Sequence, residues 1–155
     1  MVARYKKGQE IVSADDADAE ILKLIDFQNQ FLSFYEDTTA EETIRVANEY
    51  YGFKNSRVKY DFTIDDVKRE LAAGNPVIVP AAGQVLPNPY FTPPGPLYHM
   101  LVIRGYTADG KFITNDPGTR RGEGFIYTFD VLLNAAHDWN DGDVINGRKV
   151  MIVLE

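Results

Sequence analysis

The chain has 155 residues, a length that suits one domain, and 45% of them are hydrophobic, enough for a real core. Its net charge of −7 argues against a nucleic-acid partner or an anionic membrane surface, both of which call for clustered Lys and Arg. It has no cysteine, which excludes disulfides, thiolate metal sites and a thiol nucleophile from this chain.

Met1 to Lys7 has the chemistry of a helix tail: cations in the last turn, then Gly8 at the stop. No apolar run here reads as a signal peptide, and no segment approaches the ~20 apolar residues of a membrane span. Ser13 is a candidate N-cap before Asp15, Asp16 and Asp18. Ile21, Leu24, Ile25, Gln28, Phe31, Leu32 and Tyr35 follow at helical spacing, which predicts a helix over 14–34. Thr39 with Glu42 forms a capping box for a second helix, stopped at Gly52.

Val58 and Tyr60 predict a short strand, and Thr63 with Asp66 caps a third helix that ends at Gly74. Pro76 to Pro80 is a short apolar run read as a buried strand. The loop 81–96 holds five of the eight prolines: Pro87, Pro89, Pro93, Pro94 and Pro96. So long a loop is either a rigid surface excursion or a wall of a binding groove.

Tyr98 to Tyr106 predicts a strand, Thr107 to Gly110 a hairpin turn, and Lys111 to Asn115 the returning strand. Gly124 to Tyr127 is a further strand, Phe129 to His137 a helix, Asn140 to Asp143 a turn, and Lys149 to Leu154 a closing strand. The sum is an α+β domain, N-terminal helices packed on a mainly antiparallel C-terminal sheet.

Chemistry is concentrated at the open end of the hairpin. If Tyr106 pairs with Lys111, His99 faces Gly118 and Leu101 faces Asp116, so His99 and Asp116 are diagonal neighbours on one sheet face. A carboxylate beside an imidazole fixes its tautomer, which is how a base is oriented toward a nucleophile. A plain His–Asp hydrogen bond in a sheet gives the same pattern.

Other groups are weaker candidates. His137 reads as a helix-end histidine, and Trp139 as a packed aromatic or a cleft wall. Asn140 to Asp143 lacks the distal Glu of a calcium loop. Arg120 and Arg121 read as a solvated loop or as a contact to an acidic partner. Ser13, Ser33 and Ser56 have no nucleophile-elbow context. With two histidines and no cysteine, neither a transition metal nor a cofactor is expected.

The stretch Leu97-Tyr98-His99-Met100-Leu101-Val102-Ile103-Arg104-Gly105-Tyr106, followed by Asp109 to Asn115 and then Asp116-Pro117-Gly118, resembles the C-terminal half of papain-like cysteine peptidases of the bacteriocin-processing (double-glycine), family 39-like type. Glu70 to Val79 is similar to the helix and strand that lead into the histidine there, and Phe129 to Trp139 to a later helix. The resemblance covers most of 60–140.

It implies a papain-like fold over 1–155 and a Cys-His-Asp triad with His99 as base and Asp116 as orienter. Tyr98 and Trp139 would lie at the substrate cleft, and a peptide or protein would be the substrate. The nucleophile and the oxyanion glutamine have no counterpart; Gln84 is misplaced for that role. The expectation is either an N-terminally shortened peptidase, incomplete at its first helix, or a thiol-less relative that binds peptides. A missing helix front would also expose apolar surface and favour self-association.

Overall fold

The computed structural model describes residues 1–119 and 121–155. Among the described residues five α-helices surround one six-stranded sheet in the order β1-β6-β2-β3-β4-β5, and every strand pair is antiparallel.

The N-terminal helices start where their caps dictate. The short α1 (Val2–Lys6) ends before Gly8, which takes a left-handed φ of 64°. Ser13 Oγ accepts from Asp16 N at the head of α2 (Ala14–Leu32). Thr39 and Glu42 close the capping box of α3 (Ala40–Tyr51). None of the residues of α2 is buried, although its apolar stripe repeats as expected. Aromatic pairs bind it to α3 instead, with Phe27 5.1 Å from Tyr50. An ion pair from Arg4 to Asp16 at 3.0 Å ties α1 to its first turn.

β1 (Arg57–Tyr60) leads to α4 (Ile64–Ala72), capped by Thr63 and Asp66. β2 (Val77–Ala82) runs past Pro80 rather than stopping there. The β6 ladder ends at Ile78, so at Pro80 no strand on that side asks for an N–H.

A single 3₁₀ turn (Gly83–Val85) opens the proline-rich loop, which returns to β3 (Tyr98–Tyr106). β4 (Lys111–Asn115), β5 (Glu123–Thr128), α5 (Phe129–Ala135) and β6 (Val150–Val153) complete the chain. α5 ends two residues before the predicted His137, because Ala136 bridges to Ala81 and His137 N donates to Pro80 O.

The hairpin register is corrected at one end. Tyr106 pairs with Phe112, not Lys111, and a bulge between Ile103 and Gly105 takes up the extra residue. Below the bulge Val102 pairs with Asn115 and Ile103 with Thr114, the register that the His99–Asp116 argument requires.

Alternation assigns each residue to a face. Leu101, Ile103, Phe112 and Tyr127 point to one side and meet Val67 of α4 and Leu132 and Ala135 of α5. Val150, Ile152 and Leu154 point to the other, against Val2, Ala40, Ile44 and Ala47. Helices thus cover both faces: the N-terminal layer lies where expected, and α4 with α5 forms a second one.

Candidate functional site

β3 and β4 diverge below Val102–Asn115, and there His99 Nε2 meets Asp116 Oδ1 at 2.6 Å. Both residues lie on the face that packs against α4 and α5, by the same alternation that buries Leu101, Ile103, Phe112 and Thr114 completely. The Asp116 side chain is fully buried and that of His99 is 12% exposed. Its Nε2 taken by Asp116, His99 also lines two clefts.

Asp116 has three donors. Its Oδ1 takes the His99 bond, while Oδ2 accepts from Tyr127 Oη at 2.5 Å and from Asn88 Nδ2 at 2.9 Å. Burial pushes this carboxyl up. The hydrogen bonds from His99, Tyr127 and Asn88, with the charge of a protonated His99, outweigh it and hold the group below the usual carboxylate range. The Tyr127 phenol is pushed upward, by burial first and by Asp116 second, so it stays a donor.

Two glycines let the backbone fit. A Cβ on Gly122 would stand 1.7 Å from the Asp116 carbonyl oxygen, where Asp116 N donates to Gly122 O. A Cβ on Gly83 would strike Pro96 at 2.5 Å and press on His99 Cβ at 3.2 Å.

One cleft, of about 380 Å³, is walled by Asp37, Thr38, Tyr98, Met100 and Gly118 beside His99. The other, of about 360 Å³, lies under the proline-rich loop between Tyr90, Phe91, Pro96 and His99. The Phe91 ring stands edge-on to the imidazole, centroids 5.2 Å apart. A longer apolar groove of about 450 Å³ shares Thr38, Met100 and Pro117 with the first cleft and runs between Val2, Ile21 and Leu24.

Tyr98, one of the expected cleft residues, lines the first cleft, and its hydroxyl donates to Thr38 O at 2.9 Å. Trp139 stands behind it, ring centroids 5.4 Å apart, supporting Tyr98 rather than lining the cleft. Asp138 is buried, accepts from Ala40 N at 2.8 Å and so fixes the head of α3 and the loop that carries Asp37. Burial pushes its carboxyl upward.

His137 is away from this cluster, Nδ1 on Gly147 O and Nε2 on Asn134 O near the end of α5. Arg121 stacks on Tyr90 at 5.3 Å; Arg120 lies outside the described residues. Among the described residues no three His, Asp or Glu side chains converge as a metal site, and no helix is long and apolar enough to cross a membrane.

Sequence reasoning brought His99 and Asp116 together and missed Asn88 and Tyr127. Tyr127 carried a weak signal, a hydroxyl on the strand position opposite Phe112 and so on the Asp116 face. Asn88 carried none, since only the path of the loop brings it 28 residues back to Asp116.

An antiparallel sheet between helical layers, with an oriented histidine at the end of a central strand, defines a papain-like α+β fold. The chain belongs to the Peptidase C39-like family, whose model matches residues 1–141. Among solved structures, that of a candidate C39-like peptidase from Bacillus anthracis superposes with a TM-score of 0.52 at 16% identity. The match covers 76% of this chain and 60% of that one, so the chain spans less than two thirds of the relative's length. At that identity the likeness is one of fold. No curated protein sequence matches the chain.

Proposed function

We propose that residues 1–155 form a single papain-like peptidase-type domain whose cleft receives a peptide beside His99. In this reading His99 is the general base and Asp116 its orienter, in a site that hydrolyses peptide bonds once a cysteine thiol is present. The observation that carries it is the orientation of the ring: Nε2 is committed to Asp116, so Nδ1 is the nitrogen available to the cleft.

The chemistry follows from that orientation. Nδ1 takes the thiol proton as sulfur attacks the scissile carbonyl, and Asp116 stabilises the imidazolium. The same proton then passes to the leaving amine, giving an acyl-enzyme that water hydrolyses with His99 as base again.

These 155 residues supply no thiol, which favours a second reading for the chain as it stands: it binds peptides without cleaving them. Apolar surface along the α2 groove further supports self-association as a property of the isolated chain.

The test has two arms. Extended peptides titrated into the chain are expected to shift the amide resonances of Tyr98, His99 and Gly118 with no product formed. Shifts elsewhere, or none, would remove the cleft from the reading. The protein recovered from its native cells is then treated with a peptide carrying a thiol-reactive warhead. Labelling that His99→Ala abolishes supports the peptidase reading, and peptide binding with no labelled thiol supports the binding one.

A further inference from the structure

The His99–Asp116 pair does not stand alone, and what holds it differs in origin on each side. On the β5 side Tyr127 donates to Asp116 Oδ2 from the buried face of the sheet. On the loop side Asn88, itself buried, brings its amide nitrogen within 2.9 Å of the same oxygen and 3.1 Å of Tyr127 Oη, sharing one N–H between the two. Its own Oδ1 accepts from Tyr90 N at 3.0 Å, and its carbonyl accepts from Phe91 N at 3.2 Å. One side chain therefore pins the turn 86–91 to the carboxylate, and that turn carries the ring that stands against His99.

The Asn88 amide shares one N–H between Asp116 Oδ2 and Tyr127 Oη, the Tyr127 hydrogen goes to Asp116, and the His99 Nε2 hydrogen goes to the remaining carboxylate oxygen. Every buried polar atom of the cluster is paired, the condition under which such a network fixes one geometry.

We infer that Asn88 and Tyr127 are positioning residues that lock Asp116, and through it the His99 ring, and that Asn88 makes the pose of the base depend on the proline-rich loop. The inference rests on His99 being the base of the proposed site. A peptide lying against Tyr90 and Phe91 then bears on the same element that sets the base. Asn88→Ala frees the turn from the carboxylate, whereas Tyr127→Phe leaves the loop anchored and removes one donor.

The test is nuclear magnetic resonance of the chain with its two histidines labelled with ¹⁵N, assigned by His99→Gln. The groups that face His99 and can alter its charge are Asp116, Tyr127 and, across the cleft, Asp37. In the unmodified chain the His99 Nε2 proton is expected far downfield and slow to exchange with water. The low-pH inflection of the His99 shifts reports protonation of Asp116. Loss of either donor destabilises the charged carboxylate, so this inflection is expected to move up by about one pH unit in Tyr127→Phe and in Asn88→Ala. In Asn88→Ala the Phe91 and His99 ring shifts should also change together.

A folded Tyr127→Phe or Asn88→Ala chain with an unmoved inflection would overturn the inference. So would the absence of a protected Nε2 proton in the unmodified chain, a result that needs no variant. None of these measurements uses a peptide, so the network can fail while peptide binding at the cleft survives, and the reverse.

Discussion

The two faces of the sheet differ at one helix. Under α4 and α5 the side chains of Phe112, Leu101, Ile103 and Leu132 are all but fully buried, and Asp116 with its donors sits in the same layer. On the other face Val150, Ile152 and Ala40 are also fully buried under α1 and α3, but no residue of α2 is itself buried and an apolar groove runs beside Met100. The candidate base is thus oriented from the layer under α4 and α5, while the open groove beside α2 on the other face runs into the cleft.

The largest effect expected from this contrast is in stability. Phe112→Ala, in the tight layer, should cost about 3–5 kcal/mol by urea denaturation, since it removes a fully buried ring from close packing. Ile21→Ala on α2, where the side chain is half exposed, should cost under about 1 kcal/mol. Equal losses would mean that α2 is as tightly packed as the opposite face, and the distinction drawn here would go.

A second experiment sharpens the comparison through pH. The folded-state pKa of Asp116 lies below its unfolded value. Its contribution to stability is therefore fully present above roughly pH 4 and is lost as pH falls through the folded value. Asp116→Asn should lower stability near neutral pH by about 1–3 kcal/mol, because buried donors lose their acceptor. It should also flatten the acid limb of the stability curve. An acid limb as steep in the variant as in the unmodified chain would move the acid sensitivity to other carboxylates.

The same contrast explains what was legible in the sequence. Caps are local, so Ser13, Thr39 and Thr63 announce three helices with three or four residues of context. The His99–Asp116 meeting is nearly local as well, because one hairpin and strict alternation carry it. The bulge opposite Ile113 was not legible: nothing in Ile103-Arg104-Gly105 marks where the extra residue goes, and only the paired strand decides it. The exposure of α2 was hidden too, since an apolar stripe says that a face can be buried and not that a partner exists to bury it. Asn88 lay beyond reach for a related reason. Its role is written in the route of a loop, and loops have no period from which to read a register.

The smallest effect concerns the cleft itself and presupposes the peptide reading. Among the residues lining the first cleft, Asp37 brings the one carboxylate. A cationic side chain in the cleft would pair with that carboxylate, so peptides with Lys or Arg should bind more tightly than matched neutral ones. Asp37 is exposed, and an exposed pair is screened by solvent and salt, which limits the preference to about two- to fivefold in Kd. Asp37→Asn should erase that preference and leave the neutral peptide unaffected, and raising the salt should do the same by degrees. A preference that survives Asp37→Asn would point to the buried Asp138 carboxylate behind Tyr98. A preference for acidic peptides would mean that Arg121, across the loop on Tyr90, meets the ligand instead.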